Sequence, residues 1–346
     1  MRPVRRGAPS RPPVCVKYAR VKPPGSGEHA VSGHRFASGT VCSSSRRHPA
    51  WVAYHFEVTR TAYLATCAAL PGGDEADGAA LLAACTRAGL DASWQVWDDP
   101  AVDWAAADLV VVRATWDYSA RRREFLAWAA AVPRLANPAA VLSWNSDKRY
   151  LADLAAAGVP VVPTDWAEPG EDARLPGSGY FVVKPSVGAG SMGAARFAAD
   201  DPAASAWART HIGTLHAAGR TAMVQPYLAD VDAAGETALV FLDGAYSHAV
   251  RKGPMLAEAV VNGLDGASLY VAESIAPRTP DAREREVAEA ALAAAPADLL
   301  YARVDLLPTA AGPVLIELEL TEPSLYLGYR EGAADRFAAA ISARSA

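Results

Sequence analysis

The chain has 346 residues, 51% of them apolar and 21% charged, and at roughly 100–200 residues per domain this length allows two or three lobes. Its formal net charge of −5 argues against a nucleic-acid-binding protein, which would carry a basic surface. No apolar run approaches the ~20 residues of a membrane-spanning helix, and the four cysteines, which form no CxxC pair, are typical of reduced thiols. We therefore expect a cytoplasmic protein that acts on a small molecule, with neither nucleic acid nor a membrane as partner, and leave a homo-oligomer open.

Residues 1–57 differ in composition from the rest of the chain. They contain ten Lys/Arg and only two Asp/Glu, and their prolines and glycines interrupt any helical or strand period. Such a composition predicts a disordered extension. Val58 directly precedes the first predicted strand and would fit a non-AUG start codon. We hypothesise from this that residues 1–57 are not translated in the cell.

Residues 58–143 have the pattern of a small parallel α/β lobe. Apolar strands are predicted at 62–68, 93–97 and 108–114, and they alternate with helices at 74–88 and 121–132. Open α/β sheets bind ligands at the carboxyl ends of their strands. Four residues at the end of the third strand are therefore predicted substrate contacts, with packing of the tryptophan as the alternative: Arg113, Trp116, Asp117 and Tyr118.

The remaining chain is predicted to be α+β with antiparallel hairpins. Residues 144–222 would form a central subdomain, with a helix at 146–157 ended by Gly158 and strands at 180–186 and 194–197. Residues 223–346 would form a C-terminal subdomain. Its predicted elements are strands at 222–227, 237–242 and 245–250, with an Asp243-Gly244 turn between the last two, a helix at 283–294, a hairpin of 301–307 with 314–320, and a helix at 333–343.

A GxGxxG sequence lies between the two predicted strands of the central subdomain. Its glycines are Gly188, Gly190 and Gly193. A dinucleotide-binding motif would open a helix here, whereas 194–197 has the pattern of a return strand. This context favours a flap whose backbone N–H groups cover phosphates, with a surface turn as the alternative. The chain has no HRD or DFG sequence and no GK[ST] after the glycines, which argues against a protein kinase and a Walker A loop.

Lys184 lies inside the apolar strand that precedes this flap. A lysine in such a run is costly unless its ammonium group reaches an anion or water. Because the flap follows four residues later, we predict that Lys184 contacts phosphate.

Three carboxylates define a second candidate site. Glu317 and Glu319 share one face of a strand, and the 308–313 connection would fold Asp305 back beside Glu317. Carboxylates this close repel one another unless a cation lies among them, and their oxygens suit Mg²⁺. The alternative is a charged surface with Arg303 as the partner.

The order of these motifs resembles the ATP-grasp superfamily, of the glutathione synthetase-like and RimK-like type. The series runs Asn-x-Asp-Lys, Val-Val-Lys-Pro, the glycine flap, Met-Val-Gln-Pro-Tyr, Gly-Glu-Thr, Arg-Lys-Gly, Arg-Val-Asp and Ile-Glu-Leu-Glu. The resemblance covers about residues 62–340. It implies an ATP-grasp fold preceded by a parallel α/β lobe.

The resemblance also implies roles for individual residues. Lys148 and Lys184 would contact the ATP phosphates, Arg251 would clamp phosphate beside them, and Gly188, Gly190 and Gly193 would shape the flap. Gln225, Pro226 and Tyr227 would lie at the adenine, with Glu236 near the ribose or substrate. Asp305, Glu317 and Glu319 would hold Mg²⁺, or Mn²⁺ as an alternative. This chain has Glu317-Leu318-Glu319 where the family usually has Glu-x-Asn, which leaves the role of Glu319 open.

Several longer stretches resemble one subgroup, which includes the cyclo-ligase that closes O-ureido-D-serine to D-cycloserine. These stretches are RATWDY (113–118), WNSDKRYL (144–151), HAVRKGP (248–254) and ELELTEPSL (317–325). The implied function is an ATP-dependent ligase that forms a C–N bond through an acyl phosphate and releases ADP and phosphate. Whether the amine is separate or internal stays open. The alternatives are a phosphotransferase acting on a hydroxyl and a non-catalytic nucleotide-binding protein, although the Asp305/Glu317 pair argues against the latter.

Overall fold

The computed structural model describes residues 59–74, 77–256, 274–296 and 298–346, all of which belong to one compact unit. The predicted extension at 1–57 and the start-codon hypothesis lie outside these residues. Among the helices of the described part, none is long and apolar enough to cross a membrane.

The N-terminal lobe is the predicted parallel α/β structure. Its strands are β1 (Arg60–Thr66), β2 (Leu90–Val96), β3 (Leu109–Ala114) and β4 (Leu135–Ala136), and its helices are α1 (Gly78–Arg87) and α2 (Arg122–Ala131). The strand order is β2-β1-β3-β4, with all pairs parallel. Every residue of β3 is buried, as expected for a strand covered on both faces. A 3₁₀-helix, Trp116–Ala120, follows β3 at its carboxyl end.

Two short helices, α3 (Ala139–Asn145) and α4 (Tyr150–Ala156), connect this lobe to the rest of the chain. The prediction of one helix over 146–157 was wrong at its start, since α4 begins at Tyr150. Lys148 therefore lies in the turn between the two helices, where its backbone N–H donates to the carbonyl of Ser186 (2.8 Å). The predicted end of the helix is confirmed, because Gly158 follows it with a φ of +89°.

The central sheet is antiparallel. It consists of β5 (Asp165–Ala167), β6 (Tyr180–Pro185), β7 (Ala195–Ala198) and β8 (Ala222–Pro226) in the order β5-β8-β6-β7, with helix α5 (Pro202–Ala217) packed on it. Because β8 pairs with β6 up to Pro226, the predicted subdomain boundary at 222/223 falls inside a strand and the chain leaves this sheet only after Pro226. Helix α5 was missed, although Asp201 caps it and Pro202 occupies its first turn.

The C-terminal sheet has five antiparallel strands in the order β11-β10-β9-β12-β13. Its elements are α6 (Asp230–Ala234), β9 (Glu236–Leu242), β10 (Ala245–Lys252), β11 (Ile275–Arg278), α7 (Ala282–Ala294), β12 (Tyr301–Leu307), β13 (Val314–Glu319) and α8 (Ala333–Arg344). The predicted Asp243-Gly244 hairpin is confirmed, since both residues have the positive φ that such a turn requires (50° and 75°). The β12–β13 register places Asp305 opposite Glu317.

Candidate active site

A cavity of about 520 Å³ lies between the central and C-terminal sheets. Strands β6 and β8 and the flap line one side of it, while β10, β12 and β13 line the other. Trp116, Tyr118 and Asn145 close a third side from the N-terminal lobe and α3. Residues from all parts of the described fold therefore meet at this cavity.

The glycine motif forms a loop between two antiparallel strands, as predicted. It connects β6 to β7, and Gly188 and Gly190 line the cavity, whereas Gly193 lies outside the lining. Gly193 has a φ of +75°, and a Cβ atom there would come within 3.2 Å of the Pro185 ring. Its carbonyl oxygen lies 2.9 Å from Nε2 of His211 on α5. The last glycine thus turns the chain back into β7, and the first two approach the cavity.

Two of the predicted lysines face this loop in different settings. The Lys148 ammonium donates to the Gly188 carbonyl (2.6 Å) and lies 3.0 Å from the Glu317 carboxylate. Lys184 lines the same cavity but has no hydrogen-bond or ion-pair partner among the described residues. Burial lowers the pKa of Lys184 to about 8, even though Glu317 raises it in part. The described residues therefore offer Lys184 no anion in direct contact, although Glu317 acts on it from a distance.

Arg251, predicted to clamp phosphate, is not among the residues that line the cavity. Its guanidinium donates to the carbonyls of Ala234 (2.6 Å) and Ala233 (3.1 Å) at the end of α6. Neighbouring side chains in a strand point to opposite faces, so it is Lys252 that faces the cavity. The Lys252 ammonium lies 2.7 Å from Glu236 and 3.1 Å from Asp305. Sequence reasoning missed Lys252, although it stands directly opposite Glu236 in the sheet.

The three predicted metal ligands differ in their access to the cavity. Glu317 and Glu319 line the cavity, with side chains 25% and 27% exposed. Asp305 lies beneath them, 1% exposed, and accepts hydrogen bonds from Arg303 (2.9 Å) and Lys252 (3.1 Å). Arg303 also contacts Glu319 (2.5 Å), so the partner foreseen in the alternative interpretation is present. No three His, Cys, Asp or Glu residues of the described ranges form a group that could hold a metal by themselves.

The acidic groups differ in how strongly they retain a proton. Burial raises the pKa of Glu319 to about 8 against the effect of Arg303, and Glu317 adds to the rise. Burial likewise raises the pKa of Glu236 to about 7, although Lys252 opposes it. For Glu317, burial also acts upward, but Lys148 and Lys184 lower the pKa below its usual value. Glu317 and Glu319 therefore differ in the direction of their pKa shifts, because Glu317 has two lysines near it.

The end of the cavity near β8 is suited to a flat apolar group. Five apolar side chains line it: Val182, Leu228, Val231, Leu307 and Ile316. Pro226 and Tyr227 lie at its rim, and the buried amide of Gln225 donates to Thr164 (2.8 Å). The three residues predicted at the adenine are therefore brought together here.

The four predicted substrate contacts are divided by the structure. Trp116 and Tyr118 line the cavity. Arg113 is buried, donates to the Pro323 carbonyl (2.5 Å) and lies over the Tyr301 ring, while Asp117 accepts from Trp97 (2.9 Å). The guanidinium of Arg113 is thus engaged inside the fold, and neither Arg113 nor Asp117 is in the cavity lining. The lining residues that the sequence analysis did not place in the site include Asp74, Asn145, Lys252, Thr321, Glu322, Ser324 and Tyr326.

Comparison with known proteins agrees with this architecture. A family model described as "D-cycloserine synthetase DcsG, N-terminal domain" matches residues 62–137. The chain is 40% identical over 287 residues to the cycloserine biosynthesis protein DcsG of Streptomyces lavendulae, an alignment that covers 76% of this chain and 92% of the relative.

Two solved structures show the same arrangement. The crystal structure of D-cycloserine synthetase DcsG superposes with a TM-score of 0.72 at 38% identity, over 83% of this chain and 100% of that one. An ATP-grasp RimK domain protein from Sphaerobacter thermophilus has a TM-score of 0.55 at 17% identity, over 82% of this chain and 98% of that one. The second similarity shows the ATP-grasp fold alone.

Proposed function

The chain belongs to the DcsG family of ATP-dependent ligases with the ATP-grasp fold, and on this premise we propose that it activates the carboxylate of a small amino-acid-like substrate as an acyl phosphate. A nitrogen atom then displaces the phosphate, so the products are a C–N bond, ADP and inorganic phosphate. The observation that carries this proposal is the position of Lys184, which has no ion-pair partner among the described residues. It lies beside the glycine flap in a cavity whose opposite wall presents Glu317 and Glu319.

The proposed ATP orientation follows from the two ends of the cavity. The apolar end at Pro226 and Tyr227 would take the adenine, and the phosphates would lie under the flap beside Lys148 and Lys184. Lys148 holds the Gly188 carbonyl, so it would exchange this contact or share it with a phosphate oxygen. Positioned cations of this kind stabilise the charge that develops during phosphoryl transfer.

The residues present also fit a Mg²⁺ ion. Mg²⁺ is usually held by one or two carboxylates together with substrate phosphates rather than by a complete protein cage. Glu317 and Glu319 supply two cavity-lining carboxylates on one face of β13. Burial raises the pKa of Glu319 despite its contact with Arg303, and a further cation beside it would oppose that rise. These two would hold the ion, and Asp305 would join them only by releasing Lys252 or Arg303. When bound, Mg²⁺ supplies charge neutralisation on the phosphates.

The chemistry then requires two transfers. A carboxylate oxygen of the substrate attacks the γ-phosphorus, and the bond from that phosphorus to the ADP oxygen breaks. The nitrogen lone pair next attacks the acyl carbon, the C–O bond to phosphate breaks and the nitrogen loses a proton. Lys184 and Lys252 offset negative charge on opposite sides of the cavity, while the flap excludes water that would hydrolyse the intermediate.

The similarity to cycloserine biosynthesis proteins favours ring closure within one molecule, which needs no separate amine site. The test is to supply candidate acids, O-ureido-D-serine first, with ATP, Mg²⁺ and hydroxylamine. We expect ADP and a hydroxamate, and a ring product when hydroxylamine and other amines are left out. Formation of AMP and pyrophosphate, or of a stable phosphorylated alcohol, would contradict the proposal.

A further inference from the structure

Residues 321–326, which directly follow β13, form one wall of the cavity and are fixed by buried side chains of other elements. Asp77 accepts hydrogen bonds from the backbone N–H groups of Leu325 (2.7 Å) and of Leu327, just beyond the segment (2.6 Å). Backbone carbonyls of the segment accept from Arg113 (2.5 Å), Trp116 (3.0 Å), Tyr301 (2.8 Å) and Arg303 (3.1 Å). These contacts hold the main chain, so the segment presents its side chains in a fixed position.

Glu322 is the charged side chain that this segment presents to the cavity. It lines the cavity and is only 9% exposed, yet its carboxyl group has no hydrogen-bond or ion-pair partner in the part of the chain that the structure describes. Burial raises the pKa of this carboxyl well above its usual range and Glu319 adds to the rise, while Lys148 and Arg303 only partly oppose it. A buried carboxylate without a partner is costly to a fold, so its presence at a ligand cavity points to a cation that arrives with the ligand.

The hydroxyl group of Tyr118 is in the same situation. Tyr118 lines the cavity, and its hydroxyl has no hydrogen-bond partner among the described residues. Burial raises the pKa of Tyr118 well above its usual range, and the charge of Glu322 adds to the rise. The 3₁₀-helix that contains Tyr118 contacts the Glu322 segment, since Trp116 of that helix donates to the Glu322 carbonyl (3.0 Å). A carboxylate and a hydroxyl oxygen on two contacting elements of one cavity can both accept hydrogen bonds from one ammonium group, which has three N–H donors.

We propose that Glu322, with Tyr118 beside it, binds the α-ammonium group of the substrate and selects amino acids over acids that lack the amino group. This inference rests on the proposed ligase function. In that function the substrate's carboxylate reacts, and Glu322 would orient the substrate by its α-ammonium group, which does not react. Ammonium bound to a carboxylate stays protonated and has no lone pair with which to attack the acyl phosphate. The nitrogen that forms the new bond is therefore another nitrogen of the substrate or of a second molecule.

The test compares two ligands that differ only in the amino group, O-ureido-D-serine and 3-(ureidooxy)propionate. Binding is measured by calorimetry in the presence of Mg²⁺ and a non-hydrolysable ATP analogue, so the result does not depend on turnover. The wild-type protein should bind the amino acid about 100-fold more tightly than the des-amino acid, since removing one member of a buried charge pair has an effect of that order. Glu322→Gln should reduce this ratio to near one and leave the affinity for the ATP analogue unchanged.

Two further variants make the result specific. Tyr118→Phe should reduce the ratio in the same direction by a smaller factor. Glu286→Gln makes the same chemical change at an exposed position of α7 and should leave the ratio at the wild-type value. A Glu322→Gln protein that folds, binds the ATP analogue and keeps the wild-type ratio would overturn the inference, as would a wild-type protein that does not discriminate between the two acids. If discrimination depends on Glu322 but the wild-type protein forms no ADP with the amino acid, the inference stands and the proposed function fails.

Discussion

The two sheets that face each other across the cavity each present a lysine, and the two lysines differ in their electrostatic surroundings. Lys184 on β6 has no described anionic partner, and burial lowers its pKa to about 8. For Lys252 on β10, burial also acts downward, but Asp305 and Glu236 outweigh it and raise the pKa well above the usual value. The comparison shows that burial alone does not indicate the role of a cation. Lys252 is held by ion pairs within the fold, whereas we propose that Lys184 gains its anionic partner when ATP binds.

The largest expected effect is a loss of activity when Lys184 is replaced. Lys184→Met should lower kcat/KM for ATP by about 10³-fold, because a charge that acts on the transferred phosphoryl group is lost. The free energy of unfolding should be unchanged or higher, since a half-buried cation whose charged form burial disfavours is replaced by an apolar chain. Steady-state kinetics and chemical denaturation of the same preparation measure both. A large loss of stability in this variant would show that Lys184 has a structural partner.

The opposite result is expected for the paired lysine. Lys252→Met leaves Asp305 and Glu236 buried with less compensation, so the free energy of unfolding should fall by about 3–5 kcal/mol. Denaturation curves of this variant and of Lys184→Met, recorded together, give a matched comparison of two Lys→Met changes at one cavity. Equal stability of the two variants would show that the two lysines do not differ in their contribution to the fold.

A pH dependence should separate the lysines as well. The pKa of Lys184 without ligand is about 8, and phosphate contact needs its protonated form. As pH rises above 8, ATP binding must be accompanied by proton uptake, so the affinity should fall by up to about tenfold per pH unit. The matched control is Lys184→Arg, whose guanidinium stays charged over this range. Titration of ATP between pH 7 and 9.5 should give a sloping profile for the wild-type protein and a flatter one for the variant.

The smallest effect on activity is expected when Arg251 is replaced. Arg251 donates two hydrogen bonds to the end of α6 from outside the cavity lining. Arg251→Ala should therefore cost about 1 kcal/mol of stability and leave kcat/KM for ATP close to the wild-type value. Loss of activity comparable with that of Lys184→Met would restore the role that the sequence resemblance gave to Arg251.

Much of the fold and part of the site could be predicted because they depend on local sequence patterns, such as apolar strands and the alternation of side chains along them. Lys184 stands out within an apolar strand before a glycine loop, and the alternation of β13 pairs Glu317 with Glu319 on one face. The choice between Arg251 and Lys252 could not be made in this way, because it depends on which face of β10 meets the cavity. That face is set by pairing with β9, which places Lys252 opposite Glu236.

Glu322 and Arg113 show a second limit of sequence reasoning. Glu322 lies in a segment without helical or strand period, and contacts to Asp77, Arg113 and Trp116, more than 200 positions away, determine where the segment lies. Arg113 ends a strand at the expected place, yet its guanidinium turns to the Pro323 carbonyl and the Tyr301 ring. Long-range contacts of this kind leave no local pattern in the chain.

Isotope transfer shows whether a carboxylate of the substrate becomes an acyl phosphate. O-ureido-D-serine labelled with ¹⁸O in both carboxylate oxygens is incubated with the protein, ATP and Mg²⁺, and the released phosphate is analysed by mass spectrometry or ³¹P NMR. Because the attacking oxygen leaves with the phosphoryl group, we expect one ¹⁸O atom in each inorganic phosphate, together with one ADP. Release of unlabelled phosphate during product formation, or of labelled AMP with pyrophosphate, would contradict it.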